Sequence, residues 1–85
     1  MQIKSIKFTN AAAKQMRALD RPVQLQIRQK LAQYAQSPPS LVNQVKRLKG
    51  SGALRLRVGD YRVIFTEDGQ ILLILRVGHR KNVYE

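Results

Sequence analysis

The spacing of apolar residues along the first half of the chain predicts one strand followed by two helices. Residues 2–8 alternate imperfectly between apolar and polar, which is typical of a strand. Thr9 or Asn10 can cap the next helix, because a side-chain oxygen there accepts a hydrogen bond from a free backbone N–H. Asp20-Arg21-Pro22 indicates a break and a restart, and Ser37-Pro38-Pro39 ends the second helix. The apolar residues at helical spacing are Ala12, Met16 and Leu19, then Val23, Ile27, Leu31 and Tyr34.

The period changes to two in the second half, which predicts an antiparallel meander. Residues 45–49 are a candidate short strand before the turn Gly50-Ser51-Gly52. Further strands are predicted over 54–58, 61–66 and 71–77, with hairpin turns at 59–60 and 67–70. The chain is therefore expected to form one α+β domain over residues 1–85, in the order β-α-α-β-β-β. Its two N-terminal helices should pack on one face of a mainly antiparallel, twisted sheet.

Charge is the unusual feature of the composition. The 85 residues include 16 Lys and Arg against 5 Asp and Glu, a formal net charge of +11. Such a surface attracts polyanions, of which nucleic acid is the commonest, and an acidic protein is the other candidate partner. The chain has no cysteine, so it offers neither a disulfide nor a thiolate metal site. Its start does not resemble a signal peptide and its longest apolar run, residues 71–75, is too short to cross a bilayer, so no membrane partner is expected.

Three arginines of the predicted meander are candidates for phosphate binding. Arg55, Arg57 and Arg62 come from two strands joined by a two-residue turn, and Arg55 and Arg57 face away from the core if the alternating leucines face it. Adjacent like charges cost stability and favour a counter-anion, and guanidinium groups suit bidentate contacts with phosphate. The alternative is a solvated polar face of the sheet.

The C-terminal stretch adds groups that can take part in proton transfer. His79 is the only histidine, and an imidazole can exchange a proton near neutral pH, although a lone histidine is more often structural. Arg80 and Lys81 follow a strand end, where functional groups collect. Tyr84 is either a functional phenol or an aromatic clasp over the sheet edge.

A second basic cluster precedes the meander. Lys46, Arg47 and Lys49 lie beside glycines and can grip a nucleic-acid backbone without reading its sequence, or simply keep a loop soluble. The chain shows no metal-ligand spacing, no phosphate-binding glycine loop and no Ser-His-Asp set, and five acidic residues are few for a two-metal site. A nuclease built from this chain is therefore expected to work without a metal or another cofactor.

Two stretches resemble the RelE branch of the RelE/ParE toxin superfamily, from bacterial and archaeal toxin–antitoxin pairs. They are Leu56-Arg57-Val58-Gly59-Asp60-Tyr61-Arg62-Val63-Ile64 and Val77-Gly78-His79-Arg80-Lys81-Asn82-Val83-Tyr84. The element order, the helix restart at 20–22 and Lys46-Arg47-Leu48-Lys49-Gly50 extend the resemblance over nearly the whole chain.

This resemblance implies a cytoplasmic, ribosome-dependent mRNA endonuclease. In the family the toxin enters the ribosomal A site, where the 2′-hydroxyl of the message attacks the neighbouring phosphate and the 5′-oxygen leaves without help from a metal. The implied partners are the ribosome with its mRNA and rRNA, and a cognate antitoxin with an acidic segment that wraps the toxin. Operator DNA is expected to be bound only through the antitoxin complex.

The resemblance also implies roles for single residues. Arg62 matches the arginine that stabilises the phosphate in the transition state, Arg80 a leaving-group acid or charge stabiliser, and Tyr84 a general base. Arg55 matches a position that is usually basic, and His79 is kept as a catalytic candidate although other members have Lys there. The candidate RNA- and ribosome-binding residues are Lys46, Arg47, Lys49, Arg57 and Lys81. One departure from the pattern is Ala53, at another position that is usually basic.

Three alternatives stay open at this point. The chain can be a gyrase inhibitor of the ParE type, which cuts nothing itself. It can be a passive RNA- or DNA-binding module, or a toxin that binds its antitoxin but has lost activity.

Overall fold

A computed structural model describes residues 4–83, which form two helices against a five-stranded sheet. The helices are α1 (Asn10–Arg17) and α2 (Arg21–Gln36), followed by a 3₁₀ turn at Pro38–Leu41. The strands are β1 (Ser5–Phe8), β2 (Val45–Arg47), β3 (Leu54–Val58), β4 (Tyr61–Asp68) and β5 (Ile71–His79). Their order in the sheet is β1-β5-β4-β3-β2. None of the helices within residues 4–83 is long and apolar enough to cross a membrane.

The helix ends follow from local sequence. Thr9 caps α1, since its Oγ1 accepts a hydrogen bond from the backbone N–H of Ala12 at 3.1 Å. Asp20 occupies the cap position of α2, with Pro22 in the first turn, where its missing N–H costs no hydrogen bond. Helix α2 ends just before Pro38 and Pro39, because a proline disfavours the helical conformation of the residue before it.

The predicted α+β class and the order of the predicted elements are confirmed, and the structure adds one short strand to that order. β1 pairs parallel with β5, and the other neighbouring strands pair antiparallel. The candidate strand at 45–49 is real but shorter, and it forms the fifth strand at the edge beside β3. β5 lies between β1 and β4, which fits its apolar residues on both faces.

The main core lies between the helices and one face of the sheet, here called the helix face. Every apolar residue predicted at helical spacing contributes to this core or packs against it. The strand residues that complete the core are Leu54, Leu56, Val58, Val63, Phe65, Leu72, Ile74 and Val77. The opposite side, here called the open face, is the side to which Arg57, Arg62 and Gly78 belong by strand alternation.

A bulge in β5 changes which residues face the helices. Ile64 of β4 lies opposite Arg76, but Phe65 lies opposite Ile74, so Leu75 is an extra residue. Ile74 and Val77, three residues apart, are therefore both buried in the main core. Without the extra residue, every side chain after it would point to the other face.

A small second core covers part of the open face. Ala53, Ile64 and Val83 are buried together, with Leu48 and Leu75 packed against them. Val83 belongs to the segment that follows β5, so this segment turns back across the open face. That return brings the residues around it close to the sheet arginines.

Candidate functional site

The β3–β4 hairpin places two arginines side by side on the open face. Gly59 has a φ of +59° and is followed by Asp60, so the loop has its positive φ at the first of two residues, as in a type II′ turn. The resulting register sets Arg57 directly opposite Arg62. Side chains paired in this way have Cβ atoms about 5 Å apart, so the two guanidinium groups share one patch of surface.

A third arginine joins them from the segment after β5. The backbone N–H of Arg80 donates to the carbonyl oxygen of Asp60 at 2.8 Å, which fixes this segment to the tip of the hairpin. Arg57, Arg62 and Arg80 together line a groove of about 450 Å³, here called the arginine groove. The fold thus brings together three of the arginines that the sequence analysis named as candidates.

Asp60 contributes a negative charge to the same groove. Its Oδ1 lies 3.9 Å from Nε of Arg80, and both side chains are largely exposed, at 69% and 58%. An exposed pair at this distance contributes little to stability. The pair lies at the arginine groove, where a phosphate group can displace the carboxylate.

Lys30 of α2 is a groove residue that is not among the candidates named from the sequence. The structure places it in the arginine groove, beside the sheet residues Arg57 and Val58. A signal was available, because Lys30 lies three residues after the buried Ile27 and next to the buried Leu31, at the border of the apolar face. It is half-buried in the structure, whereas the neighbouring Arg28 is exposed.

The remaining cations of the β2–β3 region line a second groove of about 540 Å³. Its basic residues are Lys46, Arg47, Lys49 and Arg55. Arg55 therefore lies next to the arginine groove rather than in it, and its Nε atom is shielded from solvent. Arg47 also borders a hollow beside Tyr34 on the helix side of the sheet.

His79 faces away from the arginines. It lies opposite Tyr61 in the β4–β5 register, and the two rings pack edge to face with centroids 5.3 Å apart. Tyr61 packs against the main core, so this pair belongs to the helix face. Nδ1 of His79 accepts a hydrogen bond from the backbone N–H of Lys81 at 3.2 Å, which is a contact within the turn. The structure thus does not bring His79 together with Arg62, and Lys81 is exposed outside both grooves.

Tyr84 lies outside the described residues, and hydrogen bonds to β5 hold the residues just before it. The backbone N–H groups of Asn82 and Val83 both donate to the carbonyl oxygen of His79, at 2.8 and 3.1 Å. A Cβ atom on Gly78 would lie only 2.7 Å from Cγ2 of Val83, so the absence of a side chain at residue 78 allows this packing. Val83 is also buried in one cluster with Ile64, which lies two residues after Arg62 on the same face of β4.

Among residues 4–83, no three His, Asp or Glu side chains come together in a way that would hold a metal ion. Arginine and lysine side chains dominate both grooves. Such grooves are suited to binding phosphate groups along a nucleic-acid strand.

Comparison with known proteins gives one family match. The sequence model described as "ParE toxin of type II toxin-antitoxin system, parDE" matches residues 6–84 of the chain. Among curated proteins, no sequence matches significantly.

Solved structures show the same fold. The archaeal RelE-RelB complex from Pyrococcus horikoshii OT3 aligns with a TM-score of 0.78 at 22% identity, over 96% of this chain and 100% of that chain. The RelB-RelE antitoxin-toxin complex from Methanococcus jannaschii gives 0.74 at 24% identity, over 92% and 94%. YafQ from Escherichia coli BL21(DE3) gives 0.75 at 13% identity, over 96% and 99%.

Proposed function

We propose that this chain, which belongs to the ParE toxin family of type II toxin–antitoxin systems, cleaves mRNA on the ribosome. The resemblance to the RelE/ParE superfamily found in the sequence is confirmed, and the fold is that of the RelE toxins. The observation that carries the proposal is the arginine groove. Three guanidinium groups from β3, β4 and the segment after β5 share it, which is more positive charge than a simple solvated sheet face requires.

The proposed reaction is a transesterification within the message. The 2′-oxygen attacks the adjacent phosphorus, the bond from phosphorus to the 5′-oxygen breaks, and a cyclic phosphate remains on the upstream product. The transition state carries extra negative charge on the phosphoryl oxygens. Arg62, half-buried and next to Arg57, is the residue we assign to that charge.

Arg80 is assigned to the leaving 5′-oxygen as a charge stabiliser rather than as an acid. A guanidinium group holds its proton throughout the pH range in which proteins are folded, so it is a poor proton donor at neutral pH. Its charge is nevertheless available throughout the reaction, and its backbone is fixed at the hairpin tip by the hydrogen bond to Asp60. The 5′-oxygen then takes its proton from solvent.

Tyr84 is assigned as the base that accepts the proton of the 2′-hydroxyl. A phenol normally titrates near ~10, so it needs neighbouring cations to act as a base at neutral pH. It follows Val83 directly in the chain, and Val83 packs on the open face, where the arginines lie. His79 is the weaker candidate for the base, because its ring packs on Tyr61 at the helix face.

The partners follow from the same proposal. The second groove, with Lys46, Lys49 and Arg55, offers a contact for rRNA or for a neighbouring stretch of mRNA. The cognate antitoxin covers the basic open face with an acidic segment that orders on binding, and operator DNA is bound through that complex. Action on ribosomes places the toxin in the cytoplasm.

Inhibition of DNA gyrase without cleavage is the second candidate function. The family match favours gyrase inhibition, because the matching family is described as that of the ParE toxin. An inhibitor needs a docking surface and has no need of arginines from three segments in one groove. A supercoiling assay with purified gyrase, run beside the cleavage assay, separates the two functions.

The decisive experiment maps RNA ends after mixing the purified chain with programmed ribosomes and, separately, with bare mRNA. The Arg62→Ala variant serves as the expected inactive form. Arg28→Ala is the matched control, because Arg28 lies 5.8 Å over the Phe8 ring on the helix side, away from the groove. Cuts only on ribosomes, lost in Arg62→Ala and kept in Arg28→Ala, are expected. Cutting of bare RNA would indicate a free ribonuclease, and intact RNA in both samples would refute the proposal.

A further inference from the structure

We propose that Gln15 of α1 is a positioning residue for the cleavage site, because it holds the bulge of β5 that directs the C-terminal groups to the open face. The inference rests on the proposed function. Gln15 lies on the side of β5 that faces away from β4, and it is not among the described residues that line the arginine groove. Its effect must therefore pass through the backbone of β5.

The edge of β5 needs such a residue because β1 is too short to cover it. β1 pairs with β5 only from Ile71 to Ile74, and the backbone N–H of Thr9 donates to the carbonyl oxygen of Ile74 at 3.0 Å. Beyond this point the chain leaves the sheet to form α1. A backbone N–H of β5 that points to this edge must find another acceptor.

Gln15 supplies that acceptor at the residue where the bulge ends. Its Oε1 accepts a hydrogen bond from the backbone N–H of Val77 at 2.8 Å, between residues 62 positions apart in the sequence. Val77 is the first residue after the bulge to return to the main core. A side chain of α1 thus accepts the hydrogen bond that a neighbouring strand would otherwise accept. It does so at the first residue of β5 after the bulge that points to the helices again.

The geometry of the site depends on the bulge, because the bulge reverses which residues of β5 face the helices and which face the open side. In a regular strand, residues at even spacing from Ile74 would share its helix-facing side, so Gly78 would face the helices. The bulge turns Gly78 to the open face, opposite Arg62, and leaves the space that Val83 fills. The segment carrying Arg80 then continues beside the arginine groove. A bulge that slipped by one residue would misplace all of these groups together.

The test compares variants that keep or remove the acceptor. Gln15→Met and Gln15→Leu retain bulk but cannot accept the hydrogen bond, whereas Gln15→Glu keeps an oxygen at the same reach. Gln26→Met and Gln26→Glu, at an exposed position of α2, control for the change of side chain and of charge. Single-turnover cleavage on saturated ribosomes, affinity for ribosomes, and hydrogen exchange of the Val77 amide are measured for each.

We expect Gln15→Met and Gln15→Leu to cleave at least ~10-fold more slowly, since a displacement of about 1 Å at a catalytic group can cost ~100-fold. Affinity for ribosomes should change less than ~2-fold, because the groove charges are unaltered. The Val77 amide should exchange ~10-fold faster in both variants. Gln15→Glu should restore the cleavage rate and the protection of this amide, and the Gln26 variants should match the wild type.

Two results would overturn the inference. The first is a Gln15→Met variant with wild-type cleavage, and the second is slower cleavage with an unchanged exchange rate at Val77. A wild-type chain that cuts nothing on ribosomes would refute the proposed function, and this inference with it. An active wild type with an equally active Gln15→Met variant would refute the inference alone.

Discussion

Single residues of the arginine groove differ in how the fold holds them. Arg57 is exposed and Arg62 is half-buried, although they lie directly opposite each other. Arg80 is fixed through its backbone, while its side chain is 58% exposed. The half-buried charge acts through a lower effective dielectric constant, so Arg62 should contribute most to a developing negative charge.

Replacement of single catalytic candidates should therefore give unequal losses. We expect Arg62→Ala and Arg80→Ala each to reduce cleavage on ribosomes by ~100-fold or more, the usual cost of removing one aimed charge donor. His79→Ala should cost less than ~10-fold, because its ring lies on the helix face. RNA-end mapping over time with the three variants measures their cleavage rates, and comparison with the wild type ranks the losses. Equal losses, or a larger loss for His79→Ala, would contradict the assignment.

Lys30 should act on binding rather than on the chemical step. Its ammonium group is a mobile point charge on α2, suited to a phosphate next to the one that reacts. We expect Lys30→Gln to raise the toxin concentration for half-maximal cleavage by about 5- to 10-fold, with little change in the saturated rate. Lys30→Arg should restore most of the binding. Lys14→Gln on α1 is the matched control. An equal rise in the half-maximal concentration for that variant would contradict the assignment of Lys30 to the site.

The sequence identified the arginines but not how they are divided between grooves. Strand alternation alone predicts that Arg55, Arg57 and Arg62 share a face, and the structure agrees. It does not reveal that Arg55 belongs to the groove of β2, because that depends on an edge strand of three residues. The direction in which His79 points was equally hidden, since it depends on a one-residue bulge that leaves no clear signal in the apolar pattern.

Among the elements, α2 is tied to the sheet by a polar contact at the border of the core. The hydroxyl of Tyr34 donates to Oε1 of Glu67 in β4 at 3.0 Å, and Oε2 of Glu67 lies 3.0 Å from Nζ of Lys4. The Tyr34 ring packs edge to face on Phe65, with centroids 5.3 Å apart. The contact therefore links α2, the start of β1 and the β4–β5 hairpin around one carboxylate.

This contact predicts a loss of stability at alkaline pH. Burial of the hydroxyl, and then its hydrogen bond to Glu67, raise the pKa of Tyr34 from 10.0 to about 12. Because the folded-state pKa is the higher one, the stabilisation is complete below pH ~10 and is lost as the pH rises to ~12. We expect Tyr34→Phe to cost ~1 kcal/mol near neutral pH, and this difference from the wild type to shrink toward pH ~12. Urea unfolding of both proteins across this range measures it, and a difference that stays constant would contradict the assignment.

The elements themselves were largely predictable, and the differences from the prediction have physical causes. The strand predicted over 61–66 extends to Asp68, because its polar end pairs with β5 and binds Tyr34 and Lys4 through Glu67. β5 likewise extends to His79 through pairing with Tyr61. Both extensions depend on pairing partners that are distant in the sequence, and the local alternation of apolar and polar residues does not reveal such partners.

At the scale of the whole molecule, the question is whether the net charge of +11 acts as a general attraction or through the grooves. The protein measures 33 × 29 × 25 Å. Screening by salt reduces the reach of an exposed charge to about 8 Å at physiological ionic strength. Cations on the side of the protein opposite the arginine groove therefore add little to the binding of an RNA strand in that groove.

For an RNA short enough to occupy the arginine groove without reaching the second groove, the salt dependence of binding should accordingly be set by the arginine groove alone. Four cations line it, Lys30, Arg57, Arg62 and Arg80. At about −0.7 per phosphate contact, they predict a slope of about −3 for the logarithm of the binding constant against the logarithm of the salt concentration, with single-stranded RNA. Arg57→Gln should reduce the slope by ~0.7, while Lys14→Gln, on α1, should leave it unchanged. Fluorescence anisotropy with a short RNA carrying a 2′-deoxy group at the cleavage position measures the slope without cleavage. If both variants lower the slope equally, the RNA is attracted by the overall charge of the protein and not specifically by the arginine groove.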